Sequence, residues 1–470
     1  MAIEYDVISP VTGKTIRRIP LATKADIADS LIALNSRNEP LVVNTVFEFL
    51  RRLADQIELQ RNLFLEAIYL ETGFIVSDSM EMIDEAIEFL DNFEKYVIGL
   101  LKDNKRLNII PHSYSETIER AMRIMQQPAR CIAAVLPQNA AFTLGIIIIA
   151  SALYAGSRVI LRPPLQSGSS SALLARTIEQ SDPPPARIAF VHSLAEDFLE
   201  VCYLSDEVDL IHYIGSSHYA PGILARAFAA GKQCLIDGQG NGMLYVDETF
   251  SREEAVRIIT TAATRFNGET CTSVNGVLIE DTIYKDLKAA LIESFQQLRL
   301  GHPLEPGIQV GPLFSRQLAA QLEKTIRGTK MAKVLYGNQF TDAYFVPTVI
   351  EDVNPNDNIV CNGLFGPAIW IAPIAAGDDL WHWLGSNRFP LSDTLLSTDE
   401  NLIDAFLQNS RASRICINVD QAIESMFEPW GGYPPGGLNT VSNWIEKYYR
   451  IFVIDGNSND IIRMKPGYIG

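Results

Sequence analysis

From Lys24 to about residue 101, apolar residues return every three or four positions. They run first through FEFLRRLADQIELQRNLFLEAIYLETG and then through MIDEAIEFLDNFEKYVIGLL, the period of helices that bury one face. Gly73 closes the first of these patterns as a C-terminal cap. The acidic residues of 71–103 read as a solvated helix face. Before these helices, PVTGKTIRRIP predicts a strand and turn. After them, residues 108–130 lose the helical period and predict a β-hairpin or arm.

Beyond Cys131 the pattern changes. Short apolar runs (CIAAVLP, RVILRPP, RIAFVHS, LIHYIGSS, KQCLIDG) alternate with helical stretches, which is the rhythm of βαβ units in a parallel, doubly wound sheet. A second α/β block runs from about Met243 to Ser425, with strands VNGVLIE, AIWIAPI and RICINVD. The segment from Trp444, WIEKYYRIFVIDG, reads as a strand. Ala140–Ala155 is nearly uncharged but short of the ~20 residues of a membrane span. The turn residues Pro137–Asn139 and Gly156–Ser157 around it predict a buried helix between two strands. No fixed-period repeat and no long Ser/Gly linker divides the chain.

At 47% hydrophobic and 20% charged, the 470 residues are rich enough in apolar side chains for a large core. The net charge of −17 disfavours nucleic acid and anionic membranes as partners, since both select basic faces. Six cysteines without a C-x-x-C pair predict reduced thiols, a cytoplasmic location and no metal site. No apolar leader is visible in MAIEYDVISPVTGK.

One segment suggests chemistry. FNGETCTS places Cys271 in a glycine-containing loop between an amphipathic helix and an apolar strand, where a thiolate would be a nucleophile with backbone N–H groups available to an oxyanion. G-Q-G-N-G at Gly238–Gly242 is not a phosphate cradle, because the apolar run MLYV follows it rather than a helix.

FNGETCTS resembles the N-x-G-Q-x-C loop of the aldehyde dehydrogenase superfamily, and the resemblance extends along nearly the whole chain. LPQNAAFTLGIIIIASALYAGSRVILRPPLQS is similar to P-W-N-F-P…A-L-A-A-G-N-x-V-V-L-K-P-A-E, and YIGSSHYAPG to F-T-G-S-T-x-x-G. LIDGQGNGMLYVD occupies the place of L-E-L-G-G-K-x-P-x-I-V. LGHPLEPGIQVGPLFS resembles G-D-P-L-D-P…G-P-L-I-S, YFVPTVIEDVNP…NGLFGPAIWI resembles Y-F-x-P-T-V…E-E-I-F-G-P, and EPWGGYPPGGLN resembles P-F-G-G-x-K-x-S-G-x-G. The resemblance implies an α/β fold with three parts. Residues 1–107 and 131–236 would form a doubly wound dinucleotide-binding domain and 237–428 a second α/β catalytic domain. Residues 108–130 and 444–470 would form a β arm and tail that join a homodimer or homotetramer.

It also implies roles. Cys271 would attack an aldehyde carbon, Asn139 would hold the oxyanion with the Cys271 N–H, and Asp237 would stand where the family has its glutamate base. From its place between Pro137 and an apolar helix Asn139 also reads as a helix N-cap, and Asp237, beside Gly238, as a turn residue. Aspartate is one methylene shorter than glutamate, and a misplacement of about 1 Å can cost ~10²-fold; Asp237→Glu is therefore expected to speed hydrolytic turnover. Pro137 and Gln138 fall in the P-W-N-F-P motif, and Arg162, Pro163 and Leu165 in K-P-A-E. Gly215, Ser216 and Ser217 fall in the pyrophosphate turn. Gly240 would let the backbone pass near the nicotinamide. Gly363 replaces the glutamate of the nicotinamide ribose, with Phe365 retained beside it. Loss of the adenine-ribose carboxylate at Leu165, together with Arg162, favours NADP over NAD. Three readings follow: an NAD(P)-dependent aldehyde dehydrogenase acting through a thioacyl-cysteine, an acylating or reductive variant that uses coenzyme A or NADPH, and a family fold kept for binding alone.

Overall fold

Five apolar segments after Cys131 form parallel strands in the computed structural model, which describes residues 3–36, 41–103, 109–115, 118–375 and 380–457. Their order is Ile188–Phe190, Arg158–Arg162, Cys131–Val135, Leu210–Ile214, Gln233–Asp237. The chain therefore starts at the centre, builds outward on one side and then returns to build the other. The strand order reverses between Cys131–Val135 and Leu210–Ile214, and at such a point the crevice beyond the carboxyl ends takes ligands. Helix Ala141–Ala155 packs between this sheet and helices Val43–Leu59 and Val76–Asp103. Covered on both sides, it is apolar all round and Ile146–Ile149 are buried. Among the described residues no helix is long and apolar enough to cross a membrane.

The second sheet has the order Lys333–Tyr336, Thr348–Glu351, Ala368–Ile374, Val274–Glu280, Gly242–Val246, Ser392–Leu396, Arg414–Ile417. All neighbours in it are parallel except the first pair. Residues 238–241 alone separate the last parallel strand of the first sheet from Gly242–Val246. The carboxyl edge of one sheet is thereby joined to the amino edge of the other.

Beyond this block the chain goes back. Trp430–Gly432 and Gly437–Ser442 add two antiparallel strands to the first sheet, with Gly437 paired to Asp237. The strand read from Trp444 begins only at Tyr449. Trp444, Ile445 and Tyr448 are buried in the core around helix Ala141–Ala155, and burial of these side chains favours a 3₁₀ turn at Glu446–Tyr448. Tyr449–Asn457 then pairs with Ile118–Pro128, which pairs with Ile109–Ser115. Residues 104–108, 116–117 and 458–470 of the expected arm and tail lie outside the described residues.

The acidic stretch is not a solvated face throughout. Glu71 is buried and its carboxylate accepts the Ser169 and Ser170 amides at the start of helix Gly168–Gln180, where an anion meets the helix dipole. Asp78 is buried as well, accepting the Phe266 amide at 2.8 Å.

Candidate active site

Cys271 owes its place to a tightly held loop. After helix Arg252–Thr264 the chain turns left-handed at Phe266 (φ 49°), Asn267 (φ 56°) and Gly268 (φ 67°), a conformation costly outside glycine and asparagine. Three hydrogen bonds hold Asn267 there. Its Nδ2 donates to the carbonyls of Gly73 (3.2 Å) and Pro312 (2.9 Å), and its Oδ1 accepts from the Gly311 amide (2.7 Å). Two residues before Cys271, the buried Glu269 accepts the Phe314 amide at 3.0 Å.

The Cys271 loop lies against Gly240, where a Cβ would stand 1.9 Å from the Cys271 carbonyl oxygen. Gly240 therefore admits the cysteine loop itself, which is the close approach that requires glycine.

A cavity of about 1400 Å³ opens at the meeting of the two sheet edges, and Cys271, Asn139 and Asp237 all line it. So do Pro137, Gln138, Arg162, Gly215 and Ser216, and from the second sheet's side Gly240, Gly363 and Phe365. Pro163, Leu165 and Ser217 do not; Pro164 lines it in their neighbourhood. Ser217 is used within the protein, accepting the Gln239 amide (2.9 Å) and donating to the Gly436 carbonyl (3.3 Å).

The N-cap expected of Asn139 is not observed. The cap position is Ala140, with no side-chain hydrogen bond to the helix. Next to Asn139, Nε2 of Gln138 is buried in the cavity wall without a partner. Burial, with the charges of Glu424 and Asp237, pushes the Cys271 thiol up from its ordinary value; at rest it is a neutral thiol.

Asp237 is gripped. Asn439 Nδ2 donates to both carboxylate oxygens (3.0 and 2.9 Å), and His212 Nε2 donates to Oδ2 at 2.6 Å. Behind them, Tyr448 Oη is 3.2 Å from His212 Nδ1 and Lys447 Nζ donates to Asn439 Oδ1 at 2.9 Å. Burial pulls Lys447 down to about 8, against the opposing charge of Asp237. No catalytic spacing singles out His212, Asn439 and Lys447: His212 meets Asp237 from the neighbouring parallel strand, whereas Asn439, the last residue of EPWGGYPPGGLN, and Lys447 arrive with the returning C-terminal segment.

Arg162 is mostly buried rather than solvated. Its Nε donates to the Ser193 carbonyl at 3.0 Å, and burial lowers it to about 10, still a cation at neutral pH. Arg226 lines the same cavity, 4.7 Å from the Tyr203 ring. Gly363 has φ 78° and ψ −178°. A Cβ there would stand 2.6 Å from Asn275 Oδ1 and 2.8 Å from Asn241 Oδ1, so this backbone has no room for the glutamate of the resembling family. Glu81, Glu85, Glu424 and Glu428 also line the cavity. Neither helical period nor motif distinguished them from surface acids.

Two parallel-stranded sheets joined edge to edge, with a thiol and an amide at the crossing, define a class. Residues 2–452 match the model of the aldehyde dehydrogenase family, and the chain belongs to that family. It is 22% identical to a 3-sulfolactaldehyde dehydrogenase of Priestia aryabhattai, over 93% of this chain and 91% of that protein. It is also 22% identical to aminoaldehyde dehydrogenase 2 of Solanum lycopersicum, over 95% and 90%. The crystal structure of glyceraldehyde-3-phosphate dehydrogenase GapN from Methanocaldococcus jannaschii complexed with NADP superposes with a TM-score of 0.88 at 21% identity, covering 97% of this chain and 100% of that one.

Proposed function

We propose that this protein oxidises an aldehyde to a carboxylic acid with NAD(P) through a thioacyl intermediate on Cys271. The observation that carries this is the convergence of Cys271, Asn139 and Asp237 on one cavity at the junction of the two sheets.

The residues present fit a dinucleotide. The cavity reaches the strand-order switch, Arg162 and Arg226 supply cations for phosphate, and Gln138 offers an unpartnered donor. A bound nicotinamide supplies the hydride acceptor. Two arginines and no carboxylate at Leu165 support NADP over NAD.

Cys271 Sγ bonds to the aldehyde carbon as its thiol proton passes to solvent in the cavity, the C=O π bond breaks and the carbonyl oxygen takes up the negative charge. The Asn139 amide and the Cys271 N–H stabilise that oxygen; one such donor is worth roughly 10²–10³ in rate. After loss of hydride the carbon is a thioester. Water adds to it while Asp237 takes the water proton, the C–S bond breaks, and the acid and the free thiol are released. The grip of His212 and Asn439 on Asp237 fixes one carboxylate position for this step. That same grip supports a second reading, in which a thiol such as coenzyme A replaces water as acyl acceptor.

Six free cysteines support a reducing, cytoplasmic setting, and the three-stranded sheet of arm and tail supports a homodimer or homotetramer.

The test is nicotinamide absorbance with NAD⁺ or NADP⁺ and a panel of aliphatic and aromatic aldehydes. Turnover that Cys271→Ala abolishes is expected. Reduction unaffected by Cys271→Ala would sink the thioacyl route, and silence with all aldehydes in both the absence and presence of coenzyme A would sink the dehydrogenase reading.

A further inference from the structure

The charges of the cavity are segregated. Arg162 and Arg226 wall it where the first sheet's switch point lies, along with the exposed Glu196. Glu81, Glu85, Glu424 and Glu428 line it too and interact as a group, and Glu424 and Asp237 act on Cys271. Two of these four are already neutralised. Glu81 pairs with Arg265, and Glu428 pairs with Arg414 at 2.9 Å, both arginines standing behind the lining.

Glu85 and Glu424 have no ion-pair partner among the described residues. Oε1 of Glu424 is buried without any hydrogen-bond partner, although the residue walls the cavity. These two carboxyls interact with each other, and Glu424 is the leading charge acting on Cys271. Met82 and Phe266 complete this end with apolar surface. Burial raises both carboxyls even though Arg265 acts on each and Thr272 hydrogen-bonds Glu424; a cation beside the unpartnered Oε1 favours their ionised form, where an anion disfavours it.

We infer that this end of the cavity binds the tail of a cationic aldehyde, with Glu424 and Glu85 flanking an ammonium group while its carbonyl carbon reaches Cys271. The inference rests on the proposed role of Cys271 for the carbonyl end only. It predicts discrimination against aldehydes whose tail carries a carboxylate, phosphate or sulfonate.

Binding and turnover are measured separately. Calorimetric titration compares choline with 3,3-dimethylbutan-1-ol, its uncharged carbon isostere, on the full-length protein. Choline is expected to bind about tenfold more tightly or better, and the ratio is expected to fall toward one in Glu424→Gln and in Glu85→Gln. Equal affinities in the wild type, or a ratio untouched in both variants while each retains the wild-type unfolding temperature, would overturn the assignment. A variant that misfolds is replaced by Glu424→Asp, which keeps the charge and is expected to retain a preference for choline. In the activity arm, kcat/KM is expected to rank trimethylammonioacetaldehyde above 3,3-dimethylbutanal and both above 4-oxobutanoate; preference for 4-oxobutanoate contradicts the inference. Absence of turnover with every aldehyde, beside intact choline selectivity, removes the dehydrogenase reading and leaves the cation site standing.

Discussion

Asp237 shows how far one methylene matters in a filled site. Its column in the chain invites replacement by glutamate, and from sequence that change promises faster hydrolysis. The packing reverses the expectation. Asp237 is 6% exposed and His212 is 0% exposed, and the carboxylate already meets three hydrogen bonds from Asn439 and His212. A longer side chain must displace one of those donors, and overpacking of this kind costs about 1–3 kcal/mol. Asp237→Glu is expected to lower the unfolding temperature and to give no gain in steady-state rate; a faster, equally stable enzyme would show the grip to be loose. Gly363 follows the same logic. Gly363→Glu restores the family's ribose carboxylate on paper. Yet φ 78° and the Asn241 and Asn275 side chains make any Cβ strained, at about 1–3 kcal/mol for the backbone alone. The variant is expected to unfold earlier without lowering KM for NAD(P), as thermal melts and cofactor titrations will report.

At the scale of elements, the loop that presents Cys271 is held from outside itself. Asn267 ties it to Gly73, Gly311 and Pro312, residues that end a helix in the first half of the chain and open a turn in the second. Asn267→Ala removes three hydrogen bonds and puts an alanine at positive φ. The expected cost is about 2–4 kcal/mol, from unpaired buried groups and left-handed strain, with at least a tenfold loss of kcat; denaturant midpoints and turnover check both. This loop was legible in the sequence through its resemblance to a family motif, as were the βαβ rhythm and the helix Ala141–Ala155. Strands Lys333–Tyr336, Thr348–Glu351 and Ser392–Leu396 were not. Ser392, Asp393 and Thr394 are polar, yet all three are buried. Thr394 donates to Gln421 at 2.7 Å and one oxygen of Asp393 accepts from Ser410 at 2.8 Å, partners no local pattern announces. The acidic helix Val76–Asp103 was misread for a related reason: whether a glutamate faces water or a cavity depends on what packs beside it, and that is decided by tertiary structure.

Across the whole molecule, carboxyls buried in different places act on stability in the same direction. Burial raises Glu71, Asp78 and Asp393 to about 7. A carboxyl raised in the folded state contributes stability that is present below its unfolded value and is lost as pH rises through its folded one. For Asp393 that window runs from 3.8 to about 7. The stability of Asp393→Asn relative to wild type is therefore expected to rise with pH across the window, by up to about 1.4 kcal/mol per pH unit, and to level off above it. Parallel stability curves for the two proteins would show that Asp393 does not titrate there.

The return of residues 430–457 to the first sheet sets an order in time as well as in space. During translation these residues leave the ribosome after every other strand of both sheets, and they bring Asn439, Lys447 and Tyr448 to the Asp237–His212 pair. Before residue 430 is made, the sequence of the other strands of both sheets and of the Cys271 loop is complete, and of the four groups around Asp237 only His212 is present. The surroundings of Asp237 are thus completed last, so a prematurely terminated chain carries Cys271 while Asp237 still lacks the Asn439 amide and the Lys447 cation behind it.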